Sequence, residues 1–179
     1  FYGYYILTDH GWSPGRLATM VILAGAVGVI GSVAAGHLAD RFGRRVVASG
    51  FMFLFPVAVW CFFRGSGWML PVGWMMIVFM WMACEVMLKA FATELFPTSY
   101  RGTSAGWAHF VQTIGWTAGL WLLGANRERW GGIAEATSWL SLLALVGAVA
   151  VLFLPETRHR ELEDISSATG ASVPSPVSS

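Results

Sequence analysis

Apolar residues in this chain come in long unbroken blocks, parted by short polar stretches rich in glycine and proline. They lack the two-residue alternation of a half-buried strand and the single stripe of a half-buried helix. The blocks are Leu17–Gly36, Val46–Phe63, Trp68–Ala92, Thr103–Leu123 and Ile133–Leu154. A helix needs roughly 20 mostly apolar residues to cross a bilayer, so the pattern predicts five spans. Phe1–Thr8 is apolar but too short to cross. It reads as the end of a helix whose start is missing, because the chain opens without Met in mid-pattern, and nothing resembles a signal peptide. The connections ("DHGWSPG", "RGSGWMLP", "FPTSYRG", "NRERWGG") are short, which favours antiparallel neighbours in an all-α bundle. Beyond Leu154, "PETRHRELEDI" is charged, with Leu162 and Ile165 spaced for one face of a short tail helix. Residues 166–179 are rich in Ser and Pro, and are expected to be disordered.

Composition agrees with lipid as the solvent. Apolar residues make up 56% of the chain and charged ones 12%, against roughly 45–50% and 25% in soluble domains. A single core could not hide that much apolar surface from water. The net charge of +1 indicates no partner. The distribution of arginines says more. Arg41, Arg44, Arg45, Arg101, Arg158 and Arg160 fall on one side of the spans, and Arg16, Arg64, Arg127 and Arg129 on the other. The positive-inside rule then puts the turn at Arg41–Arg45 and the tail in the cytoplasm. The protein is expected to be a multi-pass integral protein of the plasma (inner) membrane. Cys61 and Cys84 lie in different spans, with no metal or redox spacing, and read as packing residues. No catalytic motif, phosphate loop or basic patch is present. The chain is therefore expected not to be an enzyme, to need no cofactor or metal, and to bind no nucleic acid.

Polarity is uneven among the spans. Val46–Phe63 carries almost nothing polar beyond serine, and Ile133–Leu154 little beyond serine once past Glu135 and Thr137 at its start, whereas Trp68–Ala92 and Thr103–Leu123 carry Glu85, Lys89, His109, Gln112, Thr113 and Thr117. An ionisable group in hydrocarbon costs ~2.5–3.5 kcal/mol on insertion scales. The polar pair of spans should therefore line a protein interior or a watery cavity, and the apolar pair should face lipid. Glu85 lies about 6 Å from its span's centre at ~1.5 Å per residue, too deep to snorkel. Lys89, one turn further, is in the favourable order for an ion pair with it. Three roles are open to the two residues. They are a self-neutralising structural pair, a proton-coupling site at Glu85, and an anion contact at Lys89. His109, Gln112, Thr113 and Trp116 share a helix face that lines a cavity or packs. Ala24, Gly28, Ser32 and Gly36 recur every four residues, a small-residue stripe for close helix approach that Gly115 and Gly119 repeat later. Pro56 and Pro71 are candidate kinks.

One polar interruption is unusually dense. "GHLADRFGRR", Gly36–Arg45, holds four charges between two apolar blocks. Gly36 and Gly43 permit a tight reversal. Asp40 can accept backbone N–H groups. Arg41, Arg44 and Arg45 can pair with carboxylates or anchor at anionic headgroups.

This stretch resembles the G-x-L-A-D-R-x-G-R-R signature of the major facilitator superfamily, on the loop after the second helix of each six-helix half. "ELFPTSYRGTSAG" (Glu94–Gly106) is similar to the segment joining helices ten and eleven in members that carry sugars and other organic solutes. "PETRHRELEDI" (Pro155–Ile165) resembles the tail after helix twelve. The three occur in order, separated by the expected number of spans.

The resemblance covers nearly the whole chain. It implies an all-α polytopic helical bundle, the C-terminal six-helix half of a twelve-helix fold. Residues 1–8 would end helix seven, 9–165 would hold helices eight to twelve with the tail helix, and 166–179 would be the cytoplasmic tail. It implies a secondary transporter of a small organic solute, working by alternating access, with proton symport as the expected drive. Its partners would be the solute, protons, the lipid bilayer and the missing N-terminal half, without which the chain should not transport. The resemblance makes the charged turn a cytoplasmic latch. Asp40, Arg41, Arg44 and Arg45 would bond to neighbouring helix ends in the outward-open state, with Glu94, Arg101, Glu156 and Arg158 as the natural partners. It puts helix seven at the cavity, so that Tyr5 is a candidate solute contact, and helices nine and twelve outside. Helix ten, "FMWMACEVMLKAFATELFP", lacks the G-P-x-x-W segment of sugar porters. An organic acid, metabolite or drug is thus expected over a hexose. A drug efflux antiporter and a non-transporting sensor on the same scaffold are the alternatives.

Overall fold

A computed structural model describes residues 2–94 and 100–154, apart from the side chains of residues 92–94 and 101. Among the described residues the only regular elements are helices: α1 (Tyr2–Asp9), α2 (Pro14–Phe42), α3 (Arg44–Arg64), α4 (Met69–Glu94), α5 (Arg101–Asn126), α6 (Ile133–Ser141) and α7 (Leu143–Leu152). The expected tail helix and the Ser/Pro-rich segment lie outside the described residues.

Local chemistry sets the ends. Ser13 caps α2, its Oγ accepting the Arg16 N–H at 3.3 Å, and Pro14 opens the helix where no N–H partner is needed. Gly43 closes α2 and opens α3 in one residue. Its φ of 94° suits glycine, and its N–H donates to the Ala39 carbonyl at 2.9 Å. Between α3 and α4 the chain turns through Gly65 and Gly67; a Cβ on Gly65 would stand 2.6 Å from the Cys61 carbonyl oxygen.

α2 packs along α4, and α3 packs against α2, α4, α6 and α7, whereas α5 touches mainly α4 and α6. Two cores result, one at each end. Ala35, Ala39, Val47, Ala48, Ala83, Met87, Phe91 and Val151 gather at the end where Gly43 turns. Tyr5, Ile6, Met20, Val59, Phe62, Leu70 and Ile77 gather at the other. The buried stripe of α2 is Ala24, Gly28, Gly31, Ala35 and Ala39. A strict four-residue spacing drifts off a 3.6-residue helix face. Ser32 and Gly36 therefore leave the seam that Ala24 and Gly28 begin, and Gly31 and Ala35 replace them. The approach is closest at Gly31, where a Cβ would meet the Phe79 carbonyl oxygen at 2.6 Å.

The block 133–154 is not one unbroken helix. At Leu142 the N–H donates to the Trp139 carbonyl at 3.1 Å rather than to that of Ser138. The Ser138 carbonyl already accepts the Ser141 hydroxyl at 2.6 Å and the Trp60 indole N–H at 3.0 Å. That diversion separates α6 from α7.

Four helical stretches are long and apolar enough to cross a membrane: Pro14–Phe42, Arg44–Arg64, Met69–Phe91 and Ile133–Leu152. Only 22–44% of their apolar windows is buried inside the protein. Large side chains such as Ile22, Val29, Leu54, Val57 and Val146 point outward, which hydrocarbon tolerates and water does not. α5 has the length, at 26 residues, but its polar side chains keep it out of that set. The apolar span α3 is two-sided. Val47, Ala58, Val59 and Phe62 are buried, while Val46, Phe53, Leu54 and Val57 face outward.

Candidate functional site

The inward face of α4 at the Gly43 end is Ala83, Met87 and Phe91, packed against Ala35 and Ala39 of α2 and Val47 and Ala48 of α3. Glu85 follows Ala83 by two residues, or ~200° around the helix, and so projects from the opposite side. Lys89 lies one turn on, with its Nζ 3.1 Å from the Glu85 Oε1. The two are unequal: the Glu85 side chain is 21% exposed and that of Lys89 62%.

α5 runs antiparallel to α4 and brings Ala105, Ala108, His109 and Gln112 to the same level on one face. These residues, with Glu85, Leu88, Lys89 and Val111, line a cavity of about 410 Å³. Glu85 is nine residues from the end of α4 and His109 eight from the start of α5, so both lie ~12–14 Å in from the Gly43 end. One turn deeper, the rings of Trp81 and Trp116 meet edge to face at 6.1 Å. Most of the cavity wall is apolar, with a few polar groups converging on it, the usual make-up of a small-molecule site.

Of the candidate solute or proton residues, four line this cavity: Glu85, Lys89, His109 and Gln112. Thr113 does not; its hydroxyl donates to the His109 carbonyl at 2.8 Å within α5. Trp116 is engaged with Trp81. Tyr5 is elsewhere, buried in the core at the far end, with its hydroxyl donating to the Phe63 carbonyl at 3.1 Å. Its ring packs against Phe63 at 4.9 Å and His10 at 5.1 Å. The lining residues that polarity alone did not single out are Leu88, beside Lys89 on α4, and Ala105, Ala108 and Val111 on α5. For the two alanines helical spacing carries the signal, since they lie at i−4 and i−1 from His109.

The charged turn is assembled only in part. Asp40 and Arg41 are exposed, and Arg44 and Arg45 are half-buried. The Arg41 guanidinium lies 5.4 Å from the centre of the Phe42 ring. The Arg45 Nε is buried with no hydrogen-bond acceptor among the described residues. Gly36 has open space around it, so close helix approach does not require it. The ends of α4 and α7 and the start of α5 share this end of the bundle with Gly43. The side chains of Glu94 and Arg101, and Glu156 and Arg158 altogether, lie outside the described residues.

The profile of the Major Facilitator Superfamily matches residues 1–178. This chain belongs to that superfamily. Among curated proteins it is 23% identical over 174 residues to the "Benzoate transport protein" of Acinetobacter baylyi, covering 90% of this chain and 35% of the relative. It is 29% identical over 137 residues to the "Inner membrane metabolite transport protein YhjE" of Escherichia coli, covering 72% of this chain and 30% of that relative. The chain thus spans about a third of the length of these relatives. Its outward apolar faces are those of an integral membrane protein of this superfamily.

Proposed function

We propose that the chain is the C-terminal half of a secondary transporter that moves a small organic acid or metabolite across the inner membrane with a proton, by alternating access. One observation carries the reading. In a chain otherwise built for lipid, Glu85 and Lys89 of α4 and His109 and Gln112 of α5 converge on one cavity of about 410 Å³. Groups so costly in hydrocarbon are found where a pathway runs. The printed functions of the two relatives, benzoate transport and metabolite transport, agree with it. On this reading Glu85 carries the proton, and the cavity opens toward the absent half of the protein. Asp40, Arg41, Arg44 and Arg45 face the cytoplasm and latch onto Glu94, Arg101, Glu156 and Arg158 in the outward-open state.

The test is solute uptake by vesicles containing the full-length protein, with and without a pH gradient. Accumulation driven by the gradient is expected, and Glu85→Gln is expected to abolish it while sparing solute exchange. Gradient-driven accumulation that survives in the variant would remove Glu85 from the coupling step.

A further inference from the structure

We infer, building on the transport reading above, that Lys89 recognises the carboxylate of an anionic solute by exchanging partners with Glu85, so that one anion and one proton cross together without net charge.

The Glu85–Lys89 pair lies within one turn of one helix. It joins no two elements, so opening it disturbs no tertiary contact. The unequal exposure of the partners sets what reaches the pair first. The Lys89 side chain is 62% exposed and its ammonium has three donors to offer, whereas the Glu85 side chain is 21% exposed. An incoming anion meets the ammonium directly, while a cation must pass the ammonium to reach the carboxylate. The remaining wall also selects. Leu88, Ala105, Ala108 and Val111 are apolar, and His109 and Gln112 are the polar groups contributed by α5. A solute with one carboxylate on an apolar body fits that inventory, and a polyol does not.

When the solute takes Lys89, Glu85 is left mostly buried without its cation. His109 on α5 is the other titratable group on the cavity wall. α2 and α3 offer no charge there; Ala35, Ala39, Val47 and Ala48 pack on the opposite face of α4. An unpaired, largely buried carboxylate is costly. A proton from solution, bound at a Glu85 carboxylate oxygen, removes that cost. The charges balance. The free pair is neutral, and the loaded site holds the Lys89 cation with the solute anion beside a neutral Glu85 acid. Proton and anion binding therefore favour each other, by linkage.

The experiment uses full-length protein in liposomes, with benzoate as the probe, benzamide as its uncharged counterpart, and protein-free vesicles subtracted. Benzoate accumulation should follow an inward proton gradient and ignore an imposed potassium diffusion potential of either sign; benzamide should not accumulate. Glu85→Gln should leave benzoate exchange intact but make net uptake respond to the potential, because an anion then crosses alone. Lys89→Gln should raise the benzoate KM about tenfold or more, since a charged hydrogen-bond partner is lost, whereas Lys89→Arg should stay within about threefold. The double variant Glu85→Gln/Lys89→Gln separates recognition from neutralisation. A Lys89 that serves only to neutralise Glu85 would regain the wild-type KM when both are removed, and that result overturns the inference. So does potential-driven benzoate uptake by the unaltered protein, or a preference for benzamide or an organic cation. In those cases transport stands and anion recognition falls; if no solute of any charge moves, both fall.

Discussion

At Gly43 the backbone passes from α2 into α3 with φ 94° and ψ 143°, a conformation that a side chain strains. Gly36, in the same charged turn, has nothing within 4 Å of an added Cβ and sits inside a helix. Two similar-looking substitutions should therefore act oppositely. Gly43→Ala should destabilise by about 1–3 kcal/mol, and Gly36→Ala should be neutral or stabilise by up to about 1 kcal/mol. Thermal unfolding of both variants in detergent checks this, and equal losses would contradict it. Single residues differ in how far they can be read without coordinates. Glu85 and Lys89 are legible because their contact lies within one helical turn. Tyr5 is not, because the sequence marks it as aromatic near a helix end but not which neighbour its hydroxyl meets. That neighbour is the Phe63 carbonyl, 58 residues away.

The helices themselves follow closely from the blocks, since length and apolarity dictate them and glycine, proline and serine mark their ends. Their seams are less legible. A four-residue stripe read from the sequence is right at Ala24 and Gly28 and wrong a turn later, because the true repeat is 3.6. The break at Leu142 is hidden altogether, as it depends on Trp60 donating across 78 residues to the Ser138 carbonyl. The seam between α2 and α4 can be tested at Gly31. A Cβ there would stand 2.6 Å from a backbone oxygen of Phe79, which cannot swing aside as a flexible side chain can, so the helices must part. Gly31→Ala should cost about 1–3 kcal/mol, as overpacking generally does. Gly115→Ala and Gly119→Ala on α5, which meet nothing within 4 Å, should not destabilise. Melting temperatures of the three variants in one detergent rank them. A Gly31 variant as stable as the α5 pair would mean that α2 and α4 are further apart than described.

On the scale of the whole molecule, α5 is the element out of balance. α2, α3 and α4 bury faces against one another, and α7 docks on α3, whereas α5 touches mainly α4 and α6. Its surface is large and mixed. Trp107, Phe110, Val111, Ile114 and Trp121 are exposed, and so are His109 and Thr113. An apolar helix bare on most sides is at home in lipid, but one carrying such polar groups is not. A second protein surface over α5 would resolve the conflict, and the relatives, about three times as long, have the chain to supply it. Local stability follows packing, so elements with few buried contacts open most often. In detergent, the chain by itself should therefore exchange amide hydrogens fastest along Gly102–Leu122 and slowest along the facing stretches of α2 and α4. In the full-length protein, α5 should slow by about tenfold or more, the factor that ~1.4 kcal/mol of added local stability produces, while α2 and α4 change little. Hydrogen–deuterium exchange read by mass spectrometry on the two samples measures this directly. If α5 were as protected in the isolated chain as in the whole protein, its polar face would already be satisfied. The cavity beside Glu85 would then be complete without a second half, and the proposed pathway between two halves would lose its physical basis.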